Sequence, residues 1–249
     1  MRKHLKLISI FLKMELRNKA FLVPSFVFPL LMLTLMSVAG SKDGAREGMT
    51  YASFLTPGIL CMAYAAVALV AIPVMLSSYR EKGLLRSFKT SELSMSSIIF
   101  AIIVSQLVFM VLQTVLLLAF AHFVLQAEFN LIPASWMAIP VVLIGLFSLL
   151  SFGFSISSFL PTSRSATMVG NLSNLVAIFL GGVFFPTDVW PSFIQPIIWI
   201  NPLTWIIEAL RKSVLYGTME LANMCIELGV LFAIGVVCFF LALKLFKYE

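Results

Sequence analysis

Charged side chains are scarce in this 249-residue chain: Asp, Glu, Lys and Arg make up 11% of it, against roughly 25% in an ordinary soluble domain. Where they are missing says more than the total. None falls in the middle of any long apolar stretch. This counts against a proton- or sodium-coupled carrier, which uses an ionisable group at depth. No internal inverted repeat of the kind many such carriers show is evident either. The two histidines, His4 and His122, lie too far apart to suggest a metal site or a catalytic pair, and Cys-His nucleophile arrangements are absent. Of the three cysteines, Cys61 and Cys238 fall inside apolar runs and Cys225 near the outer end of the last one, too few and too scattered for a disulfide framework. No G-x-x-x-x-G-K-[ST] loop occurs to cradle a nucleotide phosphate. A membrane enzyme is disfavoured, and energy for any transport must come from another protein.

What the chain does have is apolar length. Hydrophobic residues reach 61%, gathered into stretches at about Phe21–Ala39, Phe54–Ser77, Ile98–Val124, Trp136–Phe159, Thr167–Phe185 and Glu227–Leu243. A run near ~20 residues matches the ~30 Å hydrocarbon core of a bilayer. The expectation is an all-α membrane protein with six transmembrane helices, forming one compact domain over residues 1–249. Arg2, Lys3 and Lys6 precede the first run as they would in a signal peptide, but the run is long, begins late and lacks a convincing cleavage site before Ser41, so it reads as a retained span.

Basic residues sort by side. One set of connections holds Arg2, Lys3, Lys6, Lys13, Arg17, Lys19, Arg80, Lys82, Arg86, Lys89, Arg164, Lys244 and Lys247; the other holds only Lys42, Arg46, Arg211 and Lys212. Short loops rich in Lys and Arg stay in the cytoplasm, which puts both termini on the cytoplasmic side of the plasma (inner) membrane. The net charge of +6 follows from this asymmetry, and charges at membrane edges make a poor nucleic-acid patch.

Three segments between spans stand out. In residues 1–19, Arg2, Lys6, Lys13 and Arg17 share a helical stripe beside Leu5, Ile8, Leu12 and Leu16, which suits a helix lying in the inner interface, although Leu7, Ile10 and Phe11 face elsewhere. Residues 78–94 are the most charged stretch. Leu84 and Phe88 lie four apart on one helical face with Arg80, Glu81, Arg86 and Lys89 around it, a shape for docking on a soluble partner or simply a positive-inside loop. Residues 186–216 are too apolar for a solvated loop, yet Pro186, Pro191, Pro196 and Pro202 forbid one unbroken helix. Two short re-entrant helices in the outer leaflet satisfy both facts, near Pro191–Ile200 and Pro202–Tyr216, with Trp190, Trp199 and Trp205 in the interfacial belt.

Polar residues inside the spans are the remaining signal. Gln106 and Gln113 share a stripe of the third span, and Thr167, Asn171 and Asn174 one of the fifth. They either line a transport path or hydrogen-bond between helices. Gly145, Ser148, Ser151, Ser155 and Ser158 form a small-residue face on the fourth span, read as a close-packing surface.

With these residues laid out, the chain resembles the permease subunit of type-2 ABC transporters, most of which are exporters. Arg80-Glu81-Lys82-Gly83-Leu84-Leu85-Arg86-Ser87-Phe88-Lys89-Thr90 is similar to the family's R-E-x-G-x-L-x-x-L-x-x-T coupling-helix pattern, with Phe88 for the second leucine and Ser91 for the proline that commonly follows. Gly182-Val183-Phe184-Phe185-Pro186, then Pro191, Asn201-Pro202-Leu203-Thr204 and Arg211, resembles the family's outer signature G-x-x-F-P…P…N-P-L…R. The resemblance implies that Arg80, Glu81, Gly83, Leu84, Leu85, Arg86, Phe88 and Thr90 contact the ATP-binding subunit. It implies an outer gate at Phe185, Pro186, Pro191, Asn201, Pro202 and Arg211. It implies a path between two permease subunits, identical or not, lined mainly by the second and fifth spans, where Asn171 and Asn174 fit better than Gln106 and Gln113. The chain itself would bind no cofactor and no metal; ATP and Mg would sit on two separate ATPase subunits. A drug, antibiotic or other amphipathic cargo is the leading expectation, because the spans carry Phe but few Tyr or Trp. A polysaccharide or lipid-linked glycan, or a non-transporting sensor or assembly role, are the alternatives.

Overall fold

The computed structural model describes residues 2–40, 50–83, 95–129, 136–216, 218 and 221–245. Among them every regular element is helical. Helix α1 (Arg2–Arg17) ends at Asn18, and α2 (Lys19–Ala39) starts at once. A long helix α3 (Tyr51–Glu81) follows, then α4 (Met95–Phe123), α5 (Ala138–Phe159) and α6 (Ser163–Leu180). Two short pieces, α7 (Gln195–Ile198) and α8 (Pro202–Arg211, continued by a π turn over Lys212–Tyr216), precede the last helix, α9 (Leu221–Leu245).

Five of these helices are long and apolar enough to cross a membrane: α2, α3, α4, α5 and α9. Large apolar side chains such as Leu35, Val115, Leu172 and Phe240 stand exposed on the helix surfaces, as lipid-facing residues do and water-facing ones do not. The chain is a multi-pass membrane protein. The expected span at Thr167–Phe185 corresponds to α6, which has 18 residues and is not one of the five. It begins earlier, in the polar sequence Ser163-Arg164-Ser165. It stops at Leu180 because Gly181 and Gly182 turn the chain, with Gly182 at φ +75°, a conformation that favours glycine.

The outer helix expected over Pro191–Ile200 is a correction: only Gln195–Ile198 is helical. Residues Pro191 to Ile194 form a turn closed by Ile194 N–H donating to the Pro191 carbonyl at 2.9 Å, and Pro196 supplies no N–H that could extend a helix backward across that turn. The second outer helix starts at Pro202 as expected. Asn201 caps it by accepting from Leu203 N–H at 3.1 Å.

Packing follows the small residues. Helices α5 and α9 lie along each other, with Gly235 against Phe147 and Ser148. Ser148, Ser151, Ser155 and Ser158 are buried, in agreement with the close-packing reading of that face. In α3 the turn widens to π geometry over Ala66–Ala71, where Ile72 N–H donates to the Val67 carbonyl. Pro73 cannot donate to the carbonyl of Leu69, so the regular ladder is already broken there. The buried edge of this π turn meets two glycines. A side chain on Gly153 of α5 would collide with the Ala68 carbonyl, and one on Gly170 of α6 with the Leu69 carbonyl.

Candidate coupling and outer-gate sites

At one end of the helices, Ser77, Arg80 and Glu81, which fall within little more than one turn of α3, hold the turn between α5 and α6. Ser77, fully buried, donates from Oγ to the Leu160 carbonyl at 3.2 Å, and Arg80 Nη1 donates to the same oxygen at 2.9 Å. Glu81 accepts from the Ser163 backbone N–H at 3.0 Å and from the Ser163 hydroxyl. Ser163 opens α6, whose first turn is organised by a capping box between Thr162 and Ser165. The Glu81 carboxylate therefore sits at a helix N-terminus, where the unpaired N–H groups and the helix dipole favour a negative charge. These bonds form a latch between the C-terminal end of α3 and the start of α6.

Arg80 and Glu81 lie in the last turn of α3, which reaches Glu81 before Lys82 and Gly83 turn away. Gly83 has φ +68° and open space around its α-carbon, so the requirement there is for glycine's backbone freedom rather than for room. Leu84, Leu85, Arg86, Phe88 and Thr90 fall outside the described residues. Leu160 and Ser163 were missed by sequence reasoning; the Thr162-Ser163-Arg164-Ser165 cap signature was the available signal.

At the other end, residues from two distant parts of the chain, Phe54 and Gly58 of α3 and the segment from Val183 to Glu208, converge on Arg211. Its guanidinium is 1% exposed, donates through Nη2 to the Val183 carbonyl at 3.2 Å, lies 3.6 Å from the Glu208 carboxylate and stacks 4.0 Å above the Phe54 ring. The Val183 carbonyl also presses against Gly58 of α3. Thr187 Oγ1 donates to Glu208 at 3.4 Å. Asn201, besides capping α8, donates from Nδ2 to the Ala177 carbonyl of α6 at 2.8 Å. Pro186 stands at the head of a 3-10 turn over Thr187–Val189, and Pro202 is the first residue of α8. Phe185, 60% exposed, and Pro191 point outward and join no part of this cluster. Lys212 pairs with Glu227 of α9 at 2.6 Å, fixing the outer segment to the last helix.

The polar candidates within the spans separate. Gln106 donates to Glu15 of α1, and Gln113 donates to the Ser25 carbonyl of α2 at 2.6 Å. Gln113 and Asn174 line one cavity of about 260 Å³ between α2, α3, α4 and α6. Asn171 is exposed on the outer surface of α6, among Met168, Leu172 and Leu175.

Among the described residues, the domain is all-helical, with a charged turn at the end of α3 and a proline-rich segment before its last helix. The chain belongs to the ABC-2 type transporter family, matching it over residues 7–215. Among curated proteins it is similar to the probable multidrug ABC transporter permease YbhR of Escherichia coli K12, at 27% identity over 165 residues that cover 65% of this chain and 44% of that one. It is also similar to the putative transport permease ycf38 of Cyanophora paradoxa, at 27% identity over 220 residues covering 86% of this chain and 74% of the relative. The chain thus spans less than half the length of the E. coli relative.

Proposed function

We propose that this chain is the membrane subunit of an ATP-driven exporter of a drug, antibiotic or other amphipathic molecule. In this reading it hydrolyses nothing itself. It sits in the plasma (inner) membrane with both termini in the cytoplasm and six crossings, α6 being the fifth. It pairs with a second permease subunit, identical or not, and is driven by two ATPase subunits that carry ATP and Mg. The apolar character of the exposed helix faces favours hydrophobic cargo, and the name of the E. coli relative points the same way.

The observation that carries the coupling part is the latch. A force applied to the loop after Gly83 would act on Glu81 and Arg80, and through Ser163 and Leu160 on the start of α6. Because α3 and α6 also meet at the Leu69 carbonyl and Gly170, the two helices would respond as one body. The exposed apolar face of α6, with Asn171 at its centre, is the surface we assign to the path and to the second permease. The cluster around Arg211 would hold the outer segment as a lid against back-flow.

The test is a reconstituted complex carrying Glu81→Ala or Gly83→Pro. Proline cannot adopt a positive φ, and alanine removes both bonds to Ser163. Both variants should insert normally and lose ATP-stimulated transport. Undiminished transport in both would refute the coupling assignment.

A further inference from the structure

Beneath α2 lies a cavity of about 380 Å³ that neither the coupling nor the outer-gate reading uses. Glu15, Asn18, Phe21, Met75, Tyr79 and Gln106 line it, bringing together α1, the start of α2, the inner half of α3 and α4. Its chemistry is one-sided. Gln106 spends its amide donor on one oxygen of Glu15, and this leaves the other Glu15 oxygen and the Gln106 carbonyl oxygen both buried and without a hydrogen-bond partner. Two buried oxygens without partners, one of them on a carboxyl group, make a site that an ammonium donor would satisfy, the carboxyl ionising as it pairs. No Lys or Arg among the described residues pairs with Glu15.

The position adds a second constraint. The cavity sits where the interfacial helix meets the ends of the spans, the level of lipid headgroups on the side marked by the basic residues. Above it, with Phe21 shared by both, lies the second cavity of about 260 Å³, walled mostly by apolar side chains such as Phe28, Met62 and Val67. Phe21 in turn rests on the buried Phe109 ring, with centroids 5.6 Å apart. A charged head below and a greasy slot above describe one class of occupant.

We propose that this inner cavity binds the ammonium group of a single-tailed amphiphile, with Glu15 as its counter-ion, Gln106 as a further acceptor and the tail running past Phe21 toward Gln113 and Asn174. Burial raises the Glu15 carboxyl from its usual value near 4.5 to about 7, so a bound cation would also draw off its proton. Tyr79 from α3 is the other titratable group lining the cavity, while α2 presents Phe21 and α4 presents Gln106. The proposal names a cargo class for the exporter reading, but binding itself needs no ATPase and is measured without one.

The experiment uses the full chain in nanodiscs of phosphatidylglycerol, which has no ammonium group, titrated with tetradecyltrimethylammonium by calorimetry. Saturable binding is expected, strengthening between pH 6 and 8, weakened at least tenfold by Glu15→Gln and lost in Met75→Trp, which fills the cavity from α3 without touching the carboxylate. Equal affinity in the parent and both variants, or equally tight binding of tetradecyl sulfate, overturns the proposal. If Glu15→Gln fails to fold, Met75→Trp decides. Added phosphatidylethanolamine that competes identifies a lipid headgroup as the occupant; absence of competition identifies a free amphiphile. A chain that binds the probe but does not export it in the complete complex would retain the site and refute the exporter reading, and export that survives loss of binding would do the reverse.

Discussion

Replacing Arg211 by Met probes the outer cluster most directly, because its side chain holds two others and a backbone carbonyl. The substitution keeps most of the apolar volume and removes a hydrogen bond to the Val183 carbonyl, the contact with Glu208 and the stacking on Phe54. A hydrogen bond from a charged donor contributes about 1.5–3 kcal/mol, and a desolvated cation–π contact up to ~2 kcal/mol. Breaking a buried pair from one side costs ~3–5 kcal/mol because the other charge is stranded. Two features reduce that here. Glu208 keeps some solvent contact and the Thr187 hydroxyl, and the Arg211 Nε has no acceptor of its own, so part of its burial already opposes folding. The net expectation is a loss of about 3 kcal/mol, or a fall of roughly 6–12 °C in melting temperature for a chain of this size. Thermal melting of the purified protein in detergent, followed by its monodisperse fraction, reads this. The double variant Arg211→Met with Glu208→Met should recover part of the loss, since neither charge is then left unpaired. A single variant that melts within about 1 °C of the parent, or a double variant less stable than the single one, refutes the reasoning.

Three further outcomes are expected. Ser163→Ala removes the hydroxyl bond to Glu81 but keeps the backbone one, so it should reduce stimulated transport less than Glu81→Ala does; equal effects in a reconstituted assay would mean that the backbone bond carries nothing. Gly153→Val drives a side chain into the Ala68 carbonyl of the π turn and should destabilise by ~1–3 kcal/mol as overpacking does, whereas Gly229→Ala, in the interior of α9 with open space around it, should raise the melting temperature slightly, since alanine favours the helix by about 0.5–1 kcal/mol. Glu15 titrates higher folded than unfolded, so its contribution to stability is complete below about pH 4.5 and is lost as pH rises through about 7; Glu15→Gln should flatten this slope of at most ~3 kcal/mol, less what remaining solvent contact screens, in melting curves across that range.

Sequence by itself determined the medium and the rough count of helices. Apolar runs of membrane-spanning length, with charge confined to the connections, admit few other folds, and prolines at 186, 191, 196 and 202 forbid a continuous outer helix whatever the packing. The Asn201–Pro202 start of α8 was legible because capping and proline preference are local rules. Tertiary structure decided which distant groups meet. Nothing periodic in the chain pairs Glu81 with Ser163, Gln106 with Glu15 or Arg211 with Val183, because these contacts join separate helices and depend on how each is rotated and shifted along its neighbours. The short extent of α7 is local, set by the proline turn over Pro191 to Ile194. The π turn combines a local cause, the missing N–H of Pro73, with a tertiary one, the meeting of the Ala68 and Leu69 carbonyls with Gly153 and Gly170.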